Sequence, residues 1–319
     1  MDIKKIVVGI DFSDEARAAT RQALNIARHT GAEVVLVHVG TVLDSPRHEG
    51  GVMHSTIKEW EELVREQLAE DRRELDEMRQ RMHGQGVEIT HLVRDGFADT
   101  GLTEAAEELG ADLLIVGTHG RSGLRRFFLG SISERVVRLA NTSVMVARPK
   151  SEGSGGYGRI LVPTDFSRPS EKAVQMALAL AARGARIDVV HFWQIPVTAT
   201  TPYAPFKAAE EALTTVRRAM AESAESAGER MVERYEREGI EISFHAIEAA
   251  PAYGIQERLE EIPYDIVVMG SHGRRGLRRF LLGSVAELTV RHTDCSVVVV
   301  HGHGDDVASD AASDAASDD

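Results

Sequence analysis

The sequence predicts an α/β protein made of two tandem domains, each a doubly wound five-stranded parallel sheet. Three observations predict this fold. One pattern of about 150 residues occurs twice, apolar runs alternate with helical patterns in each copy, and those runs show little polar alternation. Strands that are rich in Val, Ile and Leu on both faces are typical of parallel sheets covered by helices on either side. A length of 319 residues also suits two domains of ordinary size.

The repeat is visible in three pairs of segments that occur in the same order. The pairs are IVVGIDFS at 6–13 with ILVPTDFS at 160–167, GTHGR at 117–121 with GSHGR at 270–274, and FFLGS at 127–131 with FLLGS at 280–284. The partners are 153 or 154 residues apart in every case. Segments this distant that keep their order and spacing indicate duplication of a whole domain.

Each copy alternates between strand and helix patterns. In the first copy the predicted strands are 4–10, 33–39, 87–93, 112–117 and 143–148, and the predicted helices are 14–30, 56–83, 99–109 and 131–140. In the second copy the predicted strands are 159–164, 186–192, 240–247, 265–270 and 296–301. The first helix places Ala16, Ala19 and Ala23 on one apolar stripe at helical spacing.

Composition sets the expected domain boundaries. Residues 151–156, SEGSGG, read as a short flexible linker between domains at 1–150 and 157–301. Residues 302–319 repeat Ala, Ser and Asp, which predicts a disordered acidic tail.

Charge and cysteine content argue against several classes of protein. The net charge is −13, and six aspartates among the last 15 residues supply almost half of it. The mildly acidic remainder argues against a nucleic-acid partner. No apolar run approaches the ~20 residues of a membrane span, and no signal-peptide core follows the N-terminus. A single cysteine, Cys295, excludes an internal disulfide, which fits a reducing compartment. From these observations together we expect a cytoplasmic protein without a membrane partner.

The chemistry of the chain is concentrated in the pattern G-x2-G-x9-G-S, which lies between a strand and a helix. It spans 117–131 and recurs without a gap at 270–284. A glycine at a strand end lets a phosphate approach the backbone closely. A helix start presents unpaired amides and the positive end of the helix dipole. The pattern therefore predicts an anion site in the crevice where doubly wound sheets bind nucleotides.

A structural explanation of the same serines stays open. Ser131 and Ser284 each begin an S-x-x-E sequence, the pattern of a helix capping box, which contributes ~1 kcal/mol. Two loops with identical spacing favour the phosphate interpretation. The two roles are compatible, because a hydroxyl can accept from a helix amide while it donates to a phosphate.

On these motifs the chain resembles the universal stress proteins, in particular the tandem members of their ATP-binding branch. The resemblance covers 1–150 and 157–301, and the glycine pattern is the mark of that branch. It implies the strand order 3-2-1-4-5 of the adenine nucleotide alpha hydrolase-like fold, with adenosine over the first and fourth strands and the triphosphate on the glycine loop. ATP is the implied cofactor, with ADP and AMP as alternatives and Mg²⁺ accompanying the nucleotide.

The resemblance also assigns binding residues to each domain. Asp11 and Asp165 match an acidic residue that contacts adenosine, with loop capping as the alternative. Val39 and Phe192 match a position whose backbone meets adenine. The wall beneath the nucleoside corresponds to Gly9 and Pro163. The phosphate loops comprise Gly117, Thr118, His119, Gly120, Gly130, Ser131, Ile132 and Ser133 in the first domain, and Gly270, Ser271, His272, Gly273, Gly283, Ser284 and Val285 in the second.

Several residues depart from the family pattern. Phe192 replaces a small apolar residue and could crowd the base or stack on it. Ser133 offers a hydroxyl near the phosphates that Ala286 cannot. Both glycine loops are rich in arginine and contain no acidic residue, so they read either as solvated or as pairing with phosphates or an acidic partner.

The sequence favours a nucleotide-dependent regulator in the stress response over an enzyme. No Walker-type lysine follows either glycine loop, and no catalytic carboxylate with a base is visible. A slow ATPase or phosphotransferase, or a scaffold with one competent domain, remains the alternative. His119 and His272 read as backbone supports, and Cys295, His301 and His303 do not predict a metal site. We expect an unidentified protein partner. The resemblance favours a homodimer, with a monomer as the alternative, because the two domains of one chain can pair as single-domain members do.

Overall fold

Two compact units make up the computed structural model, Asp2–Gly155 and Gly156–Val300. The structure describes residues 1–40, 54–82, 84, 86–118, 129–149, 155–195, 206–273 and 282–301, without the side chains of 54–61 and 206–210. Each unit is an α/β domain with a parallel sheet flanked by helices. The predicted fold class is therefore confirmed.

The first domain contains five strands and four helices in its described part. They are β1 (Lys5–Ile10), α1 (Asp14–Thr30), β2 (Glu33–Gly40), α2 (His54–Arg81), β3 (Ile89–Asp95), α3 (Ala98–Glu108), β4 (Leu113–Gly117), α4 (Ser131–Leu139) and β5 (Ser143–Ala147). The strands lie in the order β3-β2-β1-β4-β5, and every pair is parallel. This is the order 3-2-1-4-5 that the family resemblance implies.

The second domain repeats the arrangement. Its elements are β6 (Tyr157–Pro163), α5 (Arg168–Leu180), β7 (Ala181–Trp193), α6 (Phe206–Tyr235), β8 (Glu241–Glu248), α7 (Pro251–Glu261), β9 (Ile266–Gly270), α8 (Ser284–His292) and β10 (Ser296–Val300). The strand order is β8-β7-β6-β9-β10, again parallel. β7 begins five residues before its predicted start at 186, because the pairing with β6 shifts register between Tyr157 and Arg159.

Local sequence signals fix where the first helix of each domain begins. Ser13 caps α1 by accepting from the amide of Ala16 at 3.1 Å, and α1 ends at Gly31, which is left-handed with φ 79°. Ser167 caps α5 in the same way, and a proline occupies its first turn. These caps satisfy amides that have no partner inside the helix. The first helix therefore starts four residues after the end of β1.

A buried polar cluster in the second domain centres on Asp188 of β7, which is 6% exposed. Tyr264 donates its hydroxyl proton to Asp188 Oδ2, and Ser243 Oγ donates to Oδ1 at 3.0 Å. A terminal guanidinium nitrogen of Arg159 and of Arg258 each lies 3.7 Å from Oδ2. Burial and the bond to Asp188 raise the pKa of Tyr264 to about 12. The Asp188 carboxylate therefore accepts from two hydroxyl groups and lies beside two cations.

Replacing Asp188 with alanine should lower the free energy of unfolding of the second domain by about 3–5 kcal/mol. The change leaves the partly buried guanidinium groups of Arg159 and Arg258 without their counter-charge and the buried Tyr264 hydroxyl without its acceptor, which costs more than the original contacts contribute. Trp193 lies in the same strand, so its fluorescence during chemical denaturation measures the effect.

Glu241→Ala is the matched control. Glu241 pairs with Arg186 in the same domain, but both side chains are more than half exposed. An exposed pair contributes about 1 kcal/mol or less. Equal losses in the two variants would contradict the role assigned to the Asp188 cluster.

Candidate functional site

The carboxyl ends of the first and fourth strands of each domain meet at one edge of its sheet. In the first domain Val8 lies opposite Ile115, so β1 and β4 end together. In the second domain Leu161 lies opposite Val267, and β6 and β9 end together in the same way. The turns that follow these strands carry Asp11, Asp165 and both glycine loops. The fold therefore brings the predicted nucleoside and phosphate residues to one edge.

A pocket of about 660 Å³ opens at this edge in the second domain. Its lining contains all ten residues predicted for that domain: Pro163, Asp165, Phe192, Gly270, Ser271, His272, Gly273, Gly283, Ser284 and Val285. Positions more than 100 residues apart in the chain thus share one concave site.

The lining also contains Ala286, which the sequence analysis named only as the counterpart of Ser133. Sequence reasoning missed six further residues: Thr164, Ser170, Pro251, Ile255, Met269 and Leu282. Three of them, Thr164, Met269 and Leu282, adjoin predicted residues in the chain. Pro251 and Ile255 are one helical turn apart on α7, a spacing that places them on one face. Their helical spacing is visible in the sequence, but only the structure shows that the start of α7 borders the pocket.

A backbone hydrogen bond joins the described ends of the glycine loop in both domains. The Gly283 amide donates to the Ser271 carbonyl oxygen at 2.8 Å, and the Gly130 amide donates to the Thr118 carbonyl oxygen at 2.7 Å. Ser271 and Thr118 are buried at the loop base. This bond holds the start of the last helix against the end of the fourth strand.

The capping-box interpretation of Ser131 and Ser284 is wrong. The capping positions of α4 and α8 are Gly130 and Gly283, which have no side chain, and no described side chain caps either helix. Each serine is instead the first helical residue, and both serines are exposed at the edge of the sheet. Neither serine therefore holds the capping position, whose side chain would accept from the first-turn amides. The first-turn amides are therefore placed to receive an anion.

Close packing explains three of the loop glycines. A Cβ atom on Gly270 would lie 2.9 Å from Pro169 Cβ, and one on Gly117 would lie 3.0 Å from Glu15 Cβ. A Cβ atom on Gly273 would lie 2.5 Å from Asp165 Oδ2, so the glycine lets this carboxylate reach the loop. Because these glycines have no side chain, the glycine loop can pack closely against the turn and helix start that follow the first strand.

The aspartate side chain of each turn accepts hydrogen bonds from a serine of the same turn. Asp11 Oδ1 accepts from the Ser13 amide at 3.1 Å and from its hydroxyl at 2.5 Å, and Asp165 makes the same two bonds with Ser167. The residue that follows each aspartate is left-handed, with φ 64° at Phe12 and 61° at Phe166. A left-handed residue other than glycine costs about 1–3 kcal/mol and persists where its surroundings impose it. The surrounding structure therefore keeps the backbone of each turn in a strained conformation.

The first domain is described at nine of its eleven predicted positions, and His119 and Gly120 lie outside the described residues, as do the arginines of both loops. Ser133 Oγ donates to the Gly117 carbonyl oxygen at 2.6 Å, so its proton points into the loop base. Ile132 is 47% exposed. A Cβ atom on Gly9 would lie 2.9 Å from Leu102 of α3, so this glycine admits the helix against β1.

The adenine position is packed in a matching way in both domains. Val39 lies over Gly101 of α3, where an added Cβ atom would come within 2.9 Å of it. Phe192 lies over Gly254 of α7, where an added Cβ atom would come within 2.3 Å of the ring. The larger side chain thus occupies space that Gly254 leaves open, while Phe192 still lines the pocket.

Within the described ranges, no three His, Cys, Asp or Glu side chains form a group that could hold a metal ion. No helix in the described part of the chain has the length and apolarity that a membrane span requires.

Comparison with known proteins follows the same division into two halves. The sequence model described as the universal stress protein family matches residues 2–148 and again 156–301. The chain belongs to the universal stress protein family.

Its relatives include both tandem and shorter members of the universal stress proteins. It is 29% identical over 297 residues to one from Mycolicibacterium smegmatis, which covers 92% of this chain and 96% of the relative. It is 37% identical over 151 residues to one from Methanocaldococcus jannaschii, which covers 47% and 85%. The crystal structure of one from Archaeoglobus fulgidus has the same fold, with a TM-score of 0.63 at 20% identity over 94% of this chain and 98% of that one.

Gly254→Ala in this universal stress protein should lower the free energy of unfolding by about 1–3 kcal/mol, because the new methyl group overlaps the Phe192 ring. Phe192→Val in the same chain should recover part of the loss. We expect the double variant to be more stable than the sum of the single changes by about 1 kcal/mol, a coupling typical of residues in contact. Chemical denaturation of all three variants measures it. Strict additivity would contradict the packing described here.

Proposed function

We propose that this universal stress protein binds ATP, with accompanying Mg²⁺, in the pocket of its second domain and at the equivalent edge of its first. Nucleotide occupancy would regulate its interaction with a protein partner during the stress response. One observation carries the proposal: all ten positions predicted for the second domain line a single pocket. ADP and AMP fit the same argument, because they share the adenosine.

The size and lining of the pocket support a nucleotide. Small-molecule sites usually have volumes of about 300–1,000 Å³ and combine apolar walls with a few polar groups. Here Phe192, Ile255 and Met269 supply apolar walls suited to a base. The polar side of the pocket consists of the glycine loop and the start of α8. A base and a phosphate chain would therefore each find suitable surroundings.

The phosphates would lie against the uncapped start of α8. Gly283 precedes the first helical residue, and no described side chain occupies the place of a cap. Backbone amides and the helix dipole together favour an anion there. Mg²⁺ would arrive on the phosphate oxygens, and we assign no protein ligand to it.

The lining supports a regulator more than an enzyme. Among its described residues the pocket contains one carboxylate, Asp165, and one of its oxygens already accepts two bonds from Ser167. Phosphoryl transfer depends on cations around the phosphates and on a group that orients the nucleophile. The arginines of the glycine loop lie outside the described residues, so the preference rests on Asp165 and on the lack of a Walker-type lysine in the sequence. The proposal extends to a cytoplasmic location, which the composition favours, and to a homodimer, which the family resemblance favours over a monomer.

A scaffold with one competent domain is the second candidate, because the two sites differ at two positions. Ser133 braces the Gly117 carbonyl oxygen at 2.6 Å, whereas Ala286 stands at the equivalent position in the second domain. Phe192 also replaces the smaller Val39. We expect the first site to contribute more of the nucleotide-dependent stabilisation.

Thermal melts with and without Mg-ATP test both candidates. At 100 times its Kd a ligand stabilises the folded state by about 2.7 kcal/mol, which raises the Tm of a domain of this size by roughly 5–10 °C. Gly283→Val should remove part of the rise, because even a Cβ atom there would lie 3.2 Å from the Ser271 carbonyl oxygen. Gly130→Val should remove a larger part, and the double variant should lose nearly all of it.

Gly158→Val is the matched control, because Gly158 is exposed at the opposite, amino end of β6. It should keep the full rise in Tm. A folded double variant that responds to Mg-ATP as the wild type does would show that the glycine loops are not the site. An unchanged response in Gly283→Val alone would favour the scaffold with one competent domain.

A further inference from the structure

The turn after the first strand contains Asp11 and Phe12 in one domain and Asp165 and Phe166 in the other, and is here called the Asp-Phe turn. In both domains a histidine of the second strand contacts this turn. His38 Nδ1 lies 2.6 Å from the Ile10 carbonyl oxygen, and His191 Nδ1 lies 2.7 Å from the Thr164 carbonyl oxygen. These carbonyl groups belong to the residues directly before Asp11 and Asp165. Because a carbonyl oxygen only accepts, each Nδ1 must carry the proton of the bond.

Each histidine ring also touches the residue after the aspartate. The ring centroids of Phe12 and His38 are 4.8 Å apart, and those of Phe166 and His191 are 4.7 Å apart, with nearly equal interplanar angles of 42° and 43°. Both phenylalanines are the left-handed residues of the turn. One side chain therefore fixes the turn on both sides of the aspartate.

The neighbours of the two histidines differ, so the shared contact is not a by-product of identical packing. His38 Nε2 lies 3.2 Å from Asp71 Oδ2 of α2, and both side chains are buried. Ala224 occupies the corresponding position of α6. Val39 and Gly40 follow His38, whereas Phe192 and Trp193 follow His191. Among the contacts given above for the described residues, the hydrogen bond to the turn and the contact with its phenylalanine are common to both domains.

We infer that His38 and His191 are positioning residues for nucleotide binding. They hold the strained turn so that Asp11 and Asp165 face the nucleoside, and they do not touch the nucleotide themselves. The inference rests on the proposed function and adds to it the residue that keeps each site preorganised. A preorganised site binds more tightly because it does not have to order its turn when the ligand arrives.

Two substitutions at each histidine separate the hydrogen bond from the ring. His38→Phe and His191→Phe keep a ring against the turn but remove the donor. His38→Asn and His191→Asn keep an N–H near the position of Nδ1 but remove the ring. Calorimetric titration with Mg-ATP uses the full chain, with Gly283→Val for the His38 variants and Gly130→Val for the His191 variants, so that one site is measured at a time.

We expect the Phe variants to weaken Mg-ATP binding at their own site by about tenfold, the scale of one lost hydrogen bond. The Asn variants should stay within about threefold of the parent, because the donor is retained. Asp71→Ala should also have a small effect, since it leaves the Nδ1 contact in place. Equal affinity of Phe variant and parent at both sites would overturn the inference.

Leu36→Ala and Val189→Ala control for a merely structural role. Both residues are fully buried two positions before the histidine, on the same face of β2 and β7. They should lower Tm without the tenfold loss of affinity. If they weaken Mg-ATP binding as much as the Phe variants do at an equal loss of Tm, the histidines act only through stability and the inference fails.

Hydrogen exchange without nucleotide gives a second readout. The amides of Ser13 and Ser167 each donate to the aspartate of their turn at 3.1 Å. Their exchange should accelerate about tenfold in the Phe variants, and unchanged rates would overturn the inference. A parent chain that binds no Mg-ATP would overturn the proposed function as well, whereas a parent that binds alongside unaffected Phe variants would overturn this inference alone.

Discussion

The site in each domain depends on a glycine that ends the fourth strand where no side chain fits. An added Cβ atom would meet Glu15 at Gly117, and Pro169 at Gly270, at 3.0 Å or less. The missing side chain lets the first turn of the following helix pack directly on the strand end. This contact places the Asp-Phe turn beside the glycine loop, and the pocket of the second domain lies between them.

The repeated motifs made most of this arrangement predictable from the sequence. Their constant spacing indicated two copies of one domain, and apolar strands without alternation indicated a parallel sheet. Parallel strands bring their carboxyl ends to one edge, so residues such as Asp165 and Gly283 could be assigned to one site although they are far apart in the chain. The pocket lining confirms that they meet.

Features that depend on tertiary packing could not be predicted in this way. Nothing in the side chain of Phe166 indicates a positive φ, which its surroundings impose on the turn. The Asp188 cluster joins residues from separate strands and from the loop after α7, and no local pattern links them. Ser284 has the sequence of a cap, but the loop bond from Gly283 to Ser271 starts the helix one residue early.

Native mass spectrometry of the intact chain with Mg-ATP tests the central claim most directly. The claim is that each Asp-Phe turn and its glycine loop form one adenine-nucleotide pocket. The account predicts that the 34.9 kDa chain gains the mass of one or two ATP molecules, and that chains with both Gly130→Val and Gly283→Val gain none while remaining folded. A wild-type chain that gains no nucleotide mass at millimolar Mg-ATP would contradict the account.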